Sequence, residues 1–591
     1  MPASRNNRRD VISGNVGLRN RTRINALGRT PENFTVCLSD GPFAGVDIVN
    51  NKNVAQQPNG DERLSHFGGS FSKGLEHAPD TGLVATPYDY LDLVEILTGI
   101  RANTEFPDPE ALSSIDSVRR ALSVPKQDAR RYVNPLAAVA GGGTGVDAFD
   151  VKLPPAPQLA SRQAGTELVE LYWMALLRDT PFAQWDSCES AGAATEELNR
   201  LNAPEPRLGE ERFTQHYGAD GQLAADITTQ RLFRGSAPGD DVGPYVSQFL
   251  LQDIPYGTYT IAQKQHRLAD RADYLDTWEA WLTTQNGLDT ARSRAQLEDR
   301  QQPQRHIVTL RDLAHYVHFD VFHQAFMNAA LILDGMAAPL SDTNPYRESS
   351  TQEGFGVFGK PHILSAIAEV GARALRVAWH QKWLVHRRLR PEAMAARAER
   401  QRTGDVVDLL DGAVFESTAA ERLLARNDNL LLPQAYAEGA PMHPSYASGH
   451  ATVAGACATL LKAFFKNDFV LADAKQAVLA PDGSTRLEDH AQALTVEGEI
   501  NKLAANIAIG RMAAGVNYRS DYAKSLALGE AVAIAMLQEQ AMELKEGTSC
   551  DAIAFEFNNF SGRKVQITYA GQALCNQSGY QAPQTFRCVS A

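Results

Sequence analysis

Three separated stretches carry the residues best suited to chemistry. In QKWLVHRRLRPE, Lys382, His386 and Arg390 recur at every fourth position, so on a continuous helix they would form one stripe. In MHPSYASGHATV, His443 precedes Pro444, and Ser445, Ser448 and Gly449 lead into His450 and an alanine-rich apolar run. That is the composition of a helix start. In GRMAAGVNYRSD, Arg511 and Asn517 flank Gly515, and Asp521 follows. The chemistry these types could do together is capture of a tetrahedral, multiply charged anion. A helix N-terminus offers unpaired N–H groups and partial positive charge, Gly449 permits close approach, and Ser448 can donate its hydroxyl. His450 can move a proton near neutral pH, and His443 can reach the same mouth. Lys382, Arg390 and Arg511 would then surround the anion. Taken singly, each stretch has a plainer reading: a solvated charged face, a capped structural helix with an incidental histidine, a polar turn. Their order and number favour the shared site.

The elements that must position these residues follow from breakers and caps. Pro391 should end or kink a helix near Arg390. Gly515 reads as a helix stop and Ser520-Asp521 as the next start, leaving Asn517 in a short connection where functional side chains often sit. Long amphipathic windows run from TELVELYWMALLRDTPF onward, through HYVHFDVFHQAFMNAALILDGM, HILSAIAEVGARALRVAWHQKWLVHRRLR and DYAKSLALGEAVAIAMLQEQAMEL. Apolar residues recur at helical spacing, so residues 161–545 read as an all-α core. Residues 1–160, rich in Asn, Arg, Gly and Pro, read as an extended or wrapping arm that ends in AGGGTGVDAF and KLPPAPQLA. Residues 546–591 read as a small appendage whose alternating AIAFEFNNFSGRKVQITYA forms a β-hairpin around Ser561-Gly562.

Composition narrows the classes. The chain has 591 residues, with 57 Lys+Arg against 70 Asp+Glu and a net charge of −13, which argues against a general nucleic-acid or anionic-membrane binder. No apolar run follows the basic N-terminus, and none approaches a membrane span, so the expectation is a soluble, cytoplasmic protein. The six cysteines are too scattered for a disulfide scaffold or zinc cluster. Cys575 and Cys588 lie close enough to bridge, and reduced thiols are an equal reading. Gly143, Gly145 and Ala148 fit a dinucleotide loop, but a proline-rich stretch follows where its helix should run. His315, His318 and His323 do not share one tight helical face, so a buried or interfacial helix is preferred to a metal site.

K-x7-R-P at 382–391, P-S-x-x-S-G-H at 444–450 and G-R-x3-G-V-x-Y-x2-D at 510–521 resemble the signature of vanadium-dependent haloperoxidases and the related acid phosphatases. His443 and VHRRLRPE are more similar to the algal and cyanobacterial bromoperoxidase branch. The resemblance implies two packed four-helix-type bundles around one vanadate cofactor. Lys382, Arg390, Arg511, Ser448 and the Gly449 amide would hold it, with His450, Lys382 and His443 as the catalytic groups. Hydrogen peroxide and a halide, here bromide, would be the reactants, a hypohalous species the product and small organic molecules its acceptors. It also implies a homo-oligomer. Position 517 departs from the pattern: the family carries there the histidine that binds vanadium axially, and Asn517 offers no nitrogen lone pair. Asp521, and with it His386, would belong to the shell supporting that ligand. The resemblance therefore implies a haloperoxidase impaired at one ligand. A non-catalytic vanadate- or phosphate-binding homologue is the alternative, and a phosphatase ranks lower because an amide is no nucleophile.

Overall fold

The computed structural model describes residues 58–93 and 130–138 in part, and 151–202, 227–268, 273–406, 409–544 and 552–569, with a few single positions between. The dinucleotide-like loop at Gly143, Gly145 and Ala148, and Cys575 and Cys588, lie outside the described residues. Cys188 and Cys457 are free thiols. No described helix is long and apolar enough to cross a membrane.

Helices dominate: α1 (Arg162–Leu176), α2 (Leu310–Phe319), α3 (Gln324–Gly335), α4 (Lys360–His380), α5 (Pro391–Thr403), α6 (Gly449–Phe464), α7 (Val496–Ala513) and α8 (Arg519–Glu543). Side-chain oxygens start half of them, as Ser161, Thr309, Ser448 and Thr495 each accept from a first-turn amide. α6 is buried along its whole length and packs against α4, α7 and α8. A helix apolar on every face can only be central. Its crossing with α8 depends on small residues: a Cβ at Gly529 would collide with the Thr452 carbonyl, and one at Gly455 with the Leu526 carbonyl. Backbone therefore meets backbone there, which brings Ser525 of α8 to the N-terminus of α6.

Four departures from the sequence reading have physical causes. The window from His315 to Met336 is two helices, broken at Asp320–His323, because Asp320 turns away to bind a side chain described below. α4 ends at His380 and continues only as a π turn, Gln381–His386, closed by Arg387 in the left-handed region at φ 46°. Lys382, His386 and Arg390 therefore do not form one helical stripe. Pro391 does not end a helix but opens α5 at its first position, with Arg390 as N-cap. Finally, the region read as wholly helical contains the strand pair β1 (Lys475–Leu479) and β2 (Thr485–Asp489). The expected C-terminal hairpin is present as β3 (Ile553–Asn558) and β4 (Lys564–Thr568), with Gly562 at φ 76°. Phe555 and Phe557 are buried, so the hairpin packs onto α6 and α8.

The connection between α4 and α5 is pinned by residues 69–73. Phe71 N donates to Arg387 O at 2.9 Å and Leu389 N to Gly69 O at 3.4 Å. Buried Lys73 reaches Glu392 at 2.7 Å.

Candidate functional site

The three stretches meet at the N-terminus of α6. From the π turn, Lys382 Nζ donates to the carbonyls of Pro444 (2.6 Å) and Ser445 (3.0 Å). At the start of α5, Arg390 Nε donates to His443 O at 2.9 Å, Nη1 to Val516 O at 2.7 Å and Nη2 to His443 Nδ1 at 2.9 Å. Arg390 thus ties all three segments together. Near the end of α7, Arg511 Nη1 donates to Val317 O at 3.1 Å and to Tyr436 Oη at 3.4 Å, and its guanidinium lies over the Tyr436 ring.

The three cations are buried, and among the described residues none forms an ion pair. They feel one another instead. Burial, then Arg390 and Arg511, push the Lys382 ammonium well below its ordinary range, with Asp521 only partly opposing. Burial and Arg511 bring the Arg390 guanidinium down to about 9. A guanidinium held this far down marks a place short of negative charge.

Ser448 caps α6, accepting from Ala451 N at 3.4 Å, and its own N–H is held by Ser525 Oγ at 2.8 Å. Gly449 is closely packed: a Cβ would come to 3.1 Å from the Trp379 ring, so that ring would have to give by a few tenths of an ångström. His450 lies against Phe322, ring centroids 4.1 Å apart, and its Nε2 meets Asp320 Oδ1 at 2.8 Å. A carboxylate only accepts, so Nε2 carries the proton and Nδ1 keeps the lone pair; Nδ1 has no hydrogen-bond partner among the described residues. Burial lowers the His450 pKa; Asp320 opposes the shift, and Arg511 and Lys382 add to it. His443 is neutral for the same reasons, with burial, Lys382 and Arg390 each disfavouring its charge. It accepts from Arg390 at Nδ1, so its proton is on Nε2.

Asn517 is buried between α7 and α8. Its Nδ2 donates to Asp521 Oδ2 at 3.0 Å and lies 3.3 Å from Ser445 O. Asp521 is held from four sides: by Asn517, by Tyr518 N at 3.0 Å, by Arg388 Nη1 at 2.9 Å and by the Ser445 hydroxyl. α8 begins at Arg519 behind Tyr518, earlier than Ser520, because Asp521 reaches back to the Tyr518 amide. His386 meets the Tyr446 ring edge-on at 4.7 Å. The structure thus brings together Lys382, Arg390, His443, Ser448, Gly449, His450, Arg511, Asn517 and Asp521, with His386 behind Tyr446. His318 is stacked on Tyr436 and bonded to Glu438 at 2.7 Å, His315 faces Glu298, and His323 caps α3.

Four residues were missed in the sequence. Asp320 orients His450. Trp379 packs on His443 with centroids 4.7 Å apart, Tyr436 lies under Arg511, and Arg388 holds Asp521. Only Arg388 had a signal, its place inside RRLRP; the others depend on contacts far apart in sequence.

The chain is similar to known proteins along most of its length. Residues 362–546 match the VCPO second helical-bundle domain. The chain is 33% identical to a vanadium-dependent bromoperoxidase of Corallina pilulifera, covering 87% of this chain and 93% of the relative. It is 35% identical to one of Ascophyllum nodosum, covering 77% and 80%. Its fold is similar to the homohexameric structure of the second vanadate-dependent bromoperoxidase of Ascophyllum nodosum, with TM-score 0.73 and 28% identity over 88% of this chain and 87% of that one. With such identity along most of its length, the chain belongs to the vanadium-dependent haloperoxidase family.

Proposed function

We propose that the site takes vanadate and supports a bromoperoxidase-type oxidation of halide by hydrogen peroxide, weakened by Asn517. The observation that carries this reading is the cluster of three buried cations, Lys382, Arg390 and Arg511, that form no ion pair among the described residues and face the amino end of α6. These residues fit a tetrahedral oxyanion: charge comes from the cations, and donors come from the Ser448 hydroxyl and the Gly449 amide. Such preorganised donors cost no rearrangement when charge develops. When bound, vanadate supplies Lewis-acid activation of peroxide without a change in its own oxidation state.

The protein's part is proton and charge management. His450 accepts a proton from hydrogen peroxide at Nδ1, while Asp320 holds Nε2–H and steadies the imidazolium. In the net reaction one halide, one peroxide and one proton give one hypohalous acid and one water; the halide loses two electrons to the peroxide O–O bond. His450 returns the proton to the departing oxygen. Lys382, whose ammonium carries two carbonyl contacts, keeps a donor for the same oxygen. Small organic molecules are the acceptors of the released product, and a homo-oligomer belongs to the reading because the solved relative is homohexameric.

Asn517 stands where the family's pattern asks for an imidazole. Its nitrogen is turned to Asp521 and has no lone pair to give, so the oxyanion is held by charge and hydrogen bonds alone. Bromination of a dye in vanadate, peroxide and bromide tests this. Asn517→His should raise the bromide-dependent rate by about tenfold or more, in line with the effect of losing a ligand or its support. No gain, in a variant that folds and binds vanadate, would contradict the assignment. The non-catalytic alternative predicts oxyanion binding with no bromide-dependent rate in either protein.

A further inference from the structure

The Asn517 amide has a fixed orientation with a consequence for which oxyanions the site accepts. Its Nδ2 is committed to Asp521 Oδ2 and to the Ser445 carbonyl. Asp521 is an acceptor whose other contacts are Arg388, the Tyr518 amide and the Ser445 hydroxyl. Turning the amide over would set its oxygen against that carboxylate and against the Ser445 carbonyl, so the flipped form is excluded. The oxygen, Oδ1, is therefore the atom left over. Asn517 is only 3% exposed, and Oδ1 has no donor among the described residues. Without a partner of its own and not fully enclosed, Oδ1 is left open to an O–H donor from a ligand.

The amide also sits inside the cationic cluster. Lys382 Nζ and Asn517 Nδ2 share the Ser445 carbonyl, and Arg390 donates to the carbonyl of Val516, next in chain to Asn517. A ligand among these cations therefore meets donors on most sides and one acceptor. An oxyanion oxygen without a proton repels Oδ1, whereas an O–H donates to it.

Building on the oxyanion site proposed above, we infer that Asn517 makes it selective for tetrahedral oxyanions that keep a proton at neutral pH, such as phosphate, arsenate or vanadate, over sulfate, which keeps none. Charge alone does not give this order, because sulfate is a full dianion and the cations would welcome it. No bond forms or breaks in this recognition step; Oδ1 accepts one hydrogen bond from the ligand's own O–H.

Isothermal titration of the purified chain with inorganic phosphate and with sulfate, at pH 7 and equal ionic strength, reads the selectivity directly. Phosphate should bind about 10- to 100-fold more tightly, the range expected when a buried acceptor is satisfied in one complex and opposed in the other. Asn517→Leu, which keeps the branched outline and removes the acceptor together with the Nδ2 donor, should bring the two ligands to within about threefold, chiefly by strengthening sulfate. Equal affinity for phosphate and sulfate in the wild type overturns the inference while leaving the oxyanion site standing, and this arm does not depend on the variant folding. Unchanged discrimination in a folded Asn517→Leu also overturns it. Absence of binding by either ion, and by vanadate, would instead overturn the site itself.

Discussion

Arg388 and Arg390 are two residues apart in one connection, both buried, and they meet opposite surroundings. Arg388 bridges Glu167 at 2.8 Å and Asp521 at 2.9 Å and lies over the Tyr518 ring. Burial works against its charge, yet the two carboxylates carry its pKa above the ordinary arginine value. Arg390 has only carbonyls and a neutral imidazole, and its pKa falls to about 9. Arg519 pairs with Glu170 as Arg388 does with its carboxylates, whereas Arg511 meets a carbonyl and a tyrosine hydroxyl and forms no ion pair among the described residues. One half of this buried layer pairs its arginines with carboxylates; the other holds cations that form no ion pair among the described residues.

The comparison can be broken most sharply by swapping each arginine for methionine. Arg388→Met leaves Glu167 and Asp521 buried without their cation and should cost about 3–5 kcal/mol in urea unfolding. Arg390→Met removes repulsion along with three hydrogen bonds, so in oxyanion-free buffer it should stay within about 2 kcal/mol of wild type. Equal losses would contradict the division of the layer.

Adding ligand sharpens the contrast. Vanadate at a hundred times its wild-type dissociation constant should stabilise the wild type by about 2.7 kcal/mol, and Arg390→Met by about 1.4 kcal/mol or less at the same concentration.

Acid offers a third test. Burial holds His77 at about 3 and His306 and His315 at about 4, and lowers His443 and His450. Between pH 7 and 5 the unfolded chain takes up protons on these imidazoles and the native chain does not, so stability must fall with pH. His77 alone accounts for about 2 kcal/mol at pH 5. Asp240, which burial pushes up to about 7, and the carboxyls of Asp61, Glu167, Glu497 and Glu530, also raised by burial, act in the opposite sense, against six lowered imidazoles when His362 is included. A melting temperature that rises from pH 7 to 5 would contradict this account.

The smallest effect concerns the border between the two halves. Ser445 gives its hydroxyl to Asp521 and its carbonyl to Lys382 and Asn517. Ser445→Ala removes the hydroxyl's bond to Asp521 and the long contact it accepts from Asn517 Nδ2 at 3.4 Å, leaves the carbonyl in place, and should cost about 1 kcal/mol in unfolding, with oxyanion affinity little changed.

Much of the site was legible because its residues sit beside strong local signals. Ser448-Gly449 is a helix cap, Gly515 a helix stop, and Pro391 a breaker, so Arg390, His450, Arg511 and Asn517 could be placed at element ends from sequence. What failed was continuity. A run of apolar and basic residues from 362 to 390 reads as one helix, whereas tertiary contacts at 69–71 and the left-handed Arg387 divide it. Asp320 likewise looked like an interior residue of an amphipathic helix, and only its partner at position 450 explains the break. Propensity acts over a turn or two, while these choices are made by neighbours a hundred or more residues away.

The central claim is that an oxyanion supplies the missing negative charge beside Arg390. Titrating the dialysed protein with orthovanadate by calorimetry, in parallel with Arg390→Met, tests it most directly. The account predicts one vanadate per chain in the wild type and affinity lower by about tenfold or more in the variant. No binding, or equal binding by both, would contradict it.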